Sequence, residues 1–139
     1  MELVKHPNII LDTPSENVEL NEEVKKFIEE MEKFYLTGLK WGVPAGLAAP
    51  QVGKNWNIFI AQGQVFVNPK ITKMSTSTQL GCEGCYSLEE NKFFNVKRAG
   101  MVRLEWIDKE GNPQKQKFFD FDARVIQHEM DHLEGRLCH

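Results

Sequence analysis

Two histidines four residues apart, His128 and His132, lie in the segment QHEMDHLEG at 127–135, with Glu129 directly after the first. On a helix, positions i and i+4 share a face with Cβ atoms about 5–6 Å apart, so both imidazoles can aim a ring nitrogen at one cation. Glu129 then sits one step round, within reach of a water beside that cation without being obliged to ligate it. A divalent metal lowers the pKa of bound water from 15.7 to about 7, and a neighbouring carboxylate can take up and return the proton. The H-E-x-x-H spacing therefore points to metal-assisted hydrolysis. The plain alternative is a charged helix face with two solvated histidines. Against it, Phe121, Val125, His128 and His132 fall at i, i+4, i+7 and i+11 and continue an apolar stripe.

A catalytic metal usually takes three protein ligands and keeps one position open. The remaining candidates for a third ligand lie upstream of the histidine pair. Cysteine thiolates are the natural candidates, because coordination favours deprotonation. Cys85 in EGCYS is flanked by Gly84, which lets the backbone approach closely. Cys82 competes with it, and the two form a C-x-x-C pair. If both bound, the result would be a closed, structural Cys2His2 site. Spacing leaves both arrangements open.

The elements that must position these groups can be read from periodicity. Val24, Phe27, Ile28, Met31, Phe34 and Tyr35 recur at three- and four-residue steps and predict an amphipathic helix from about Asn21 to Leu36. WGVPAGLAAPQVG is too rich in proline and glycine to be regular throughout. NIFIA and QVFVNP read as two strands around the turn Gln62–Gly63, and LGCEGCYSLEE as an irregular stretch. KFFNV and MVRLEWI are further strands, and DKEGN turns into QKQKFFDF. The last element is a helix from about Asp122 to Leu133, with Asp120 or Asp122 as cap and Gly135 as stop. The expected class is α+β, with largely antiparallel sheets packed around a central C-terminal helix that carries the histidine pair. The whole of 1–139 is expected to form one catalytic domain.

Composition narrows the function. The 139 residues carry a net charge of −3, with 41% hydrophobic and 27% charged side chains, which gives no reason to expect DNA as a ligand. Three cysteines and an acidic, proline-containing start argue against a disulfide framework and a secretory leader. No apolar run reaches the roughly 18 residues of a membrane span. A reduced, cytoplasmic setting is expected.

Three stretches, GLAAPQ at 46–51, EGCYS at 83–87 and QHEMDHLEG at 127–135, resemble in this order the signature motifs of the peptide deformylases. HPNIILDTPSE near the start and NVKRAGMVRLEWIDKEG after the second motif are similar to that family as well. The resemblance implies removal of the formyl group from the N-terminal formylmethionine of new polypeptides. It implies that Cys85, His128 and His132 hold the metal and that Glu129 is the general acid/base. It also implies that Gln51 and the backbone N–H of Tyr86 bind the formyl oxygen. The implied metal is Fe²⁺, with Zn²⁺, Ni²⁺ or Co²⁺ able to replace it. Metal hydroxide would attack the formyl carbon, and one oxyanion donor is typically worth about 2.7–4 kcal/mol. Small residues at Gly46, Ala48 and Ala49 would let an extended substrate run beside the backbone and pair at Gly46. Val125 and Phe121 are the candidates for the apolar pocket that takes the methionine side chain.

The sequence departs from the family pattern in places. Pro44 stands where the first motif usually has glycine, Tyr86 where the second has leucine, and Glu89 where proline is frequent. Lys92 is a candidate basic substrate-binding residue. Glu83 and Arg98 are expected to form an ion pair that positions the cysteine loop. The short ending resembles that of phage forms without the C-terminal extension that some members use for ribosome docking. Two readings compete with deformylation: an H-E-x-x-H endopeptidase, and a non-enzymatic protein with a structural metal.

Overall fold

A computed structural model describes residues 1–40, 42–84 and 93–136. Helix α1 spans Glu22–Thr37, with Asn21 as its cap: the Asn21 side chain accepts the Val24 N–H at 2.9 Å. Its buried stripe is Val24, Phe27, Ile28, Met31 and Tyr35. Strand β1 (Gly46–Ala48) runs directly into a 3-10 turn at Ala49–Val52, because Pro50 cannot continue a ladder. Then follow β2 (Ile58–Ala61), β3 (Gln64–Met74), β4 (Thr78–Gly84), β5 (Phe93–Ala99), β6 (Met101–Ile107) and β7 (Pro113–Phe119). Helix α2, Asp120–Leu133, is the last element among the described residues.

Among the described residues, β1, β2, β3, β6 and β7 form one sheet in that order, and β4 pairs β5 in a second; every pairing is antiparallel. Ile58 and Ile60 of β2 face α1, together with Leu47, Val65 and Val67. Phe59 and Ala61 face the other way, onto Ala123, Val125, Ile126 and Leu133 of α2. The run IFIA is therefore buried on both sides, which is why it lacks the polar alternation of a half-exposed strand. Burying each such side chain contributes about 1.5–3 kcal/mol.

Several expectations need correction. α2 begins at Asp120, and its cap position is Phe119, which makes no side-chain capping bond; neither Asp120 nor Asp122 caps it. Asp120 instead accepts from Gln79 Nε2 at 2.8 Å. The stretch from Leu80 to Gly84 is not irregular: it is part of β4, with Gly81 opposite Val96 and Gly84 opposite Phe93. β3 runs past Pro69 to Met74, because Asn68 (φ 49°) and Pro69 sit in a register shift. There Asn68 exchanges two bonds with the Val18 backbone, at 2.9 and 2.8 Å. The turn at Gln62–Gly63 is as expected, both residues having positive φ, 52° and 81°. No helix among the described residues is long and apolar enough to cross a membrane.

Candidate active site

α2 carries His128, Glu129 and His132 on the turns that pack against β1 and β5. Gln127 fixes the helix there: its carboxamide accepts the Ala99 N–H at 2.9 Å and donates to the Ala99 and Ala123 carbonyls, both at 2.9 Å. The two imidazoles stand edge to face, with Nε2 of one 3.2 Å from Nε2 of the other. Glu83, at the end of β4, meets the other side of the His128 ring, Oε1 lying 2.8 Å from Nδ1.

Glu83 is the hub of this face. Arg98 of β5 donates to it twice, from Nε at 2.9 Å and from a terminal nitrogen at 2.8 Å, and also to Asp131 at 2.6 Å. Arg124 of α2 adds a bond at 2.6 Å. Burial alone would raise the Glu83 pKa, but the bonds from Arg98 and His128 outweigh it and hold the carboxyl down to about 2. Glu83 is therefore a fixed carboxylate at neutral pH. It turns Nδ1 of His128 toward the carboxylate and Nε2 toward His132. His132 is 1% exposed, and burial, reinforced by His128, lowers its pKa to about 3, so its ring is neutral.

The two Nε2 atoms thus face one another across a gap that one ion can bridge. A cation at the usual distance of about 2.0–2.1 Å from each nitrogen would see a 3.2 Å pair at an angle close to tetrahedral. The donor set therefore fits a divalent metal. Cys85, the expected third ligand, and Tyr86 lie outside the described residues, as do Glu89, Lys92 and Cys138. Cys82 is exposed, and among the described residues it does not gather with His128 and His132 into a group able to hold a metal.

Glu129 is the opposite of Glu83. It is 3% exposed, and among the described residues its Oε1 has no hydrogen-bond partner. Burial, only partly offset by His128, raises its pKa to about 7. Its other oxygen lies against Gly46 of β1, where an added Cβ would clash with Oε2 and come within 2.8 Å of the carboxyl carbon. Gln51 is buried in the turn after β1, and its Oε1 accepts the Ala48 N–H at 2.9 Å. The other end of that carboxamide is a donor.

A cavity of about 170 Å³ lies between β1, the end of β4 and α2, and Gly46, Gln51, Val125, His128 and Glu129 line it. Phe121 also lines it but is 59% exposed, so it is a rim residue and not part of a buried stripe. Tyr35 reaches from α1 to the Pro44 carbonyl at 2.7 Å and anchors the entry to β1. The structure thus joins Gly46, Gln51, Val125, His128 and Glu129 around one space, with His132 buried directly against His128. It bears out the Glu83–Arg98 pair, which is buried. Arg124 and Asp131 were not foreseen, since their partners lie 41 and 33 residues away in the chain and no local spacing announces them.

A family model for polypeptide deformylase matches residues 1–139. The chain belongs to the polypeptide deformylase family. Peptide deformylase 1 of Bacillus subtilis is 38% identical over 143 residues, covering 97% of this chain and 85% of the relative. The peptide deformylase of Pseudothermotoga lettingae is 37% identical over 133 residues, covering 92% and 74%. Among solved structures, the Thermotoga maritima deformylase superposes with a TM-score of 0.88 at 28% identity, covering 98% of this chain and 92% of that one. A Met-Ala-Ser-bound class I type b deformylase from Acinetobacter baumannii gives 0.88 at 28%, covering 99% and 94%. The fold is that of the deformylases, and the chain is an enzyme of this family.

Proposed function

We propose that this chain, acting as a single catalytic domain, hydrolyses the formamide of N-formylmethionyl peptides and nascent chains, releasing formate and a free N-terminal amine. The observation that carries the reading is the pair of imidazoles, Nε2 to Nε2 at 3.2 Å, beside the buried carboxyl of Glu129. His128 and His132, with Cys85 as third ligand by likeness to the family, would hold a divalent cation, Fe²⁺ in the cell and Zn²⁺, Ni²⁺ or Co²⁺ as replacements. When bound, the cation supplies the Lewis acidity that makes hydroxide available at neutral pH.

The remaining work falls to the chain itself. An extended peptide adds to the free edge of β1 at Gly46, because β1 pairs only with β2 among the described residues. The Met-Ala-Ser bound to the Acinetobacter relative supports a peptide ligand of this kind. Val125 forms a wall of the apolar pocket for methionine, with Phe121 at its mouth. The Gln51 carboxamide and the Tyr86 N–H donate to the formyl oxygen as it gains charge. Glu129 takes a proton from the attacking water and delivers it to the nitrogen as the C–N bond breaks. Its burial without a donor on Oε1 among the described residues leaves that oxygen open to take up and return a proton.

The test is metal retention in two serine variants. Cys85→Ser is expected to lose the ion and the activity, while Cys82→Ser, altering an exposed thiol, keeps both. Equal loss in the two variants would instead establish a closed four-ligand site and end the hydrolytic reading.

A further inference from the structure

Arg124 has no part in the chemistry just described, yet it is nearly enclosed and ties α2 to both β4 and β5. Its side chain is 12% exposed. One terminal nitrogen donates to Glu83 Oε2 at 2.6 Å and to the Val96 carbonyl of β5 at 2.9 Å. The other donates to the Gln79 carbonyl of β4 at 2.6 Å. The guanidinium lies against the bare backbone of Gly81, where a Cβ would stand 2.7 Å from Cζ. β4 thus offers a glycine where any side chain would displace this group.

We propose that Arg124 is a positioning residue for deformylation: it holds Glu83, and through Glu83 the His128 ring, while tying both strands of the β4–β5 pair to α2. The planar fork explains the residue type. Three acceptors on two strands and one carboxylate need donors fixed in a plane, which a lysine ammonium cannot supply. Arg98 grips the same carboxylate from β5, but it is tied to Asp131 at the far end of α2. Arg124 sits one turn before His128 and closes the path from His128 through Glu83 back into the same helix. Without Arg124, Glu83 would be tied to α2 only by His128 itself and, indirectly, through Arg98 and Asp131. Partners that orient a metal-ligating histidine typically change metal affinity or activity by about 10–100-fold when lost.

The proposal rests on the reading of His128 as a metal ligand, and Co²⁺ separates the two. Wild-type protein loaded with Co²⁺ should show the visible bands of a low-coordinate site; failure to bind Co²⁺ would sink the ligand reading itself. Given binding, Arg124→Ala is expected to shift those bands and to weaken Co²⁺ affinity about 10–100-fold, with kcat falling and KM little changed. Millimolar guanidinium, far below denaturing levels, should restore part of the loss in that variant and none in wild type. Arg124→Lys should recover only a minor part.

Gly81→Ala offers an independent route, pushing the guanidinium away without removing it. It should reproduce the spectral shift alone and add little in the Arg124→Ala background. Unchanged Co²⁺ bands and affinity in both Arg124→Ala and Gly81→Ala would overturn the proposal, as would full additivity of the two. If Arg124→Ala does not fold, the spectrum of Gly81→Ala and the poor rescue by Arg124→Lys decide the matter.

Discussion

Glu83 and Glu129 are both buried, 7% and 3% exposed, and both stand beside His128, yet their environments drive them in opposite directions. Glu83 receives Arg98, Arg124 and His128, and its pKa falls to about 2. Glu129 has a bare glycine against one oxygen and no described partner on the other, and its pKa rises to about 7. The difference shows how one residue type serves two purposes: surrounded by donors it is a fixed charge that orients a ring, and starved of donors it is a movable proton.

The contrast can be broken at either end. The largest effect is expected at Glu129. Glu129→Gln should retain the metal and the fold while deformylation falls by about 10²–10⁴, the usual contribution of a general acid/base; steady-state rates with metal analysis check this. Next is Glu83→Gln, which leaves two arginines short of their shared anion. Breaking a buried pair costs about 3–5 kcal/mol, and denaturant unfolding should show a loss of that order, with Co²⁺ affinity reduced as well.

A pH-dependent measurement sharpens the comparison. Glu129 has a folded pKa of about 7 against an ordinary 4.5, so its neutral form contributes stability below pH 4.5 that is lost as pH rises through 7. Glutamine does not ionise. In metal-free protein, Glu129→Gln should therefore gain over wild type across that window, on the order of 3 kcal/mol at pH 8 and almost nothing near pH 4. Unfolding at several pH values gives the curve. An equal gain at all pH values would mean that the carboxyl is not held neutral by burial.

Smaller effects belong to the neighbours. Gly46→Ala should press on the Glu129 carboxyl and on the substrate edge, lowering kcat/KM by about 10–100-fold, the scale of a displacement near 1 Å. Phe121→Ala, at a rim still open to water, should raise KM only about 3-fold with kcat unchanged.

What could be read in the sequence was local. His128, Glu129 and His132 lie within one helical turn, so their convergence follows from helix geometry, and the β2–β3 turn follows from Gln62–Gly63. The motif GLAAPQ places Gly46 and Gln51 a few residues apart, and the 3-10 turn keeps them together. Long-range contacts were less legible. β4 was missed as regular because its glycines look like breakers, whereas Gly81 makes room for a guanidinium from another element. Arg124 and Asp131 gained their meaning only from strands that fold back onto α2. Phe121 lines the cavity at its exposed rim, an exposure that helical phase alone does not reveal.

The account is tested most directly by the products formed from formyl-Met-Ala-Ser with protein prepared anaerobically and loaded with Fe²⁺. One formate for each free Met-Ala-Ser, with no shorter peptide, is the expected outcome. Shorter peptides, or a loaded protein that leaves the formyl group in place, would contradict it.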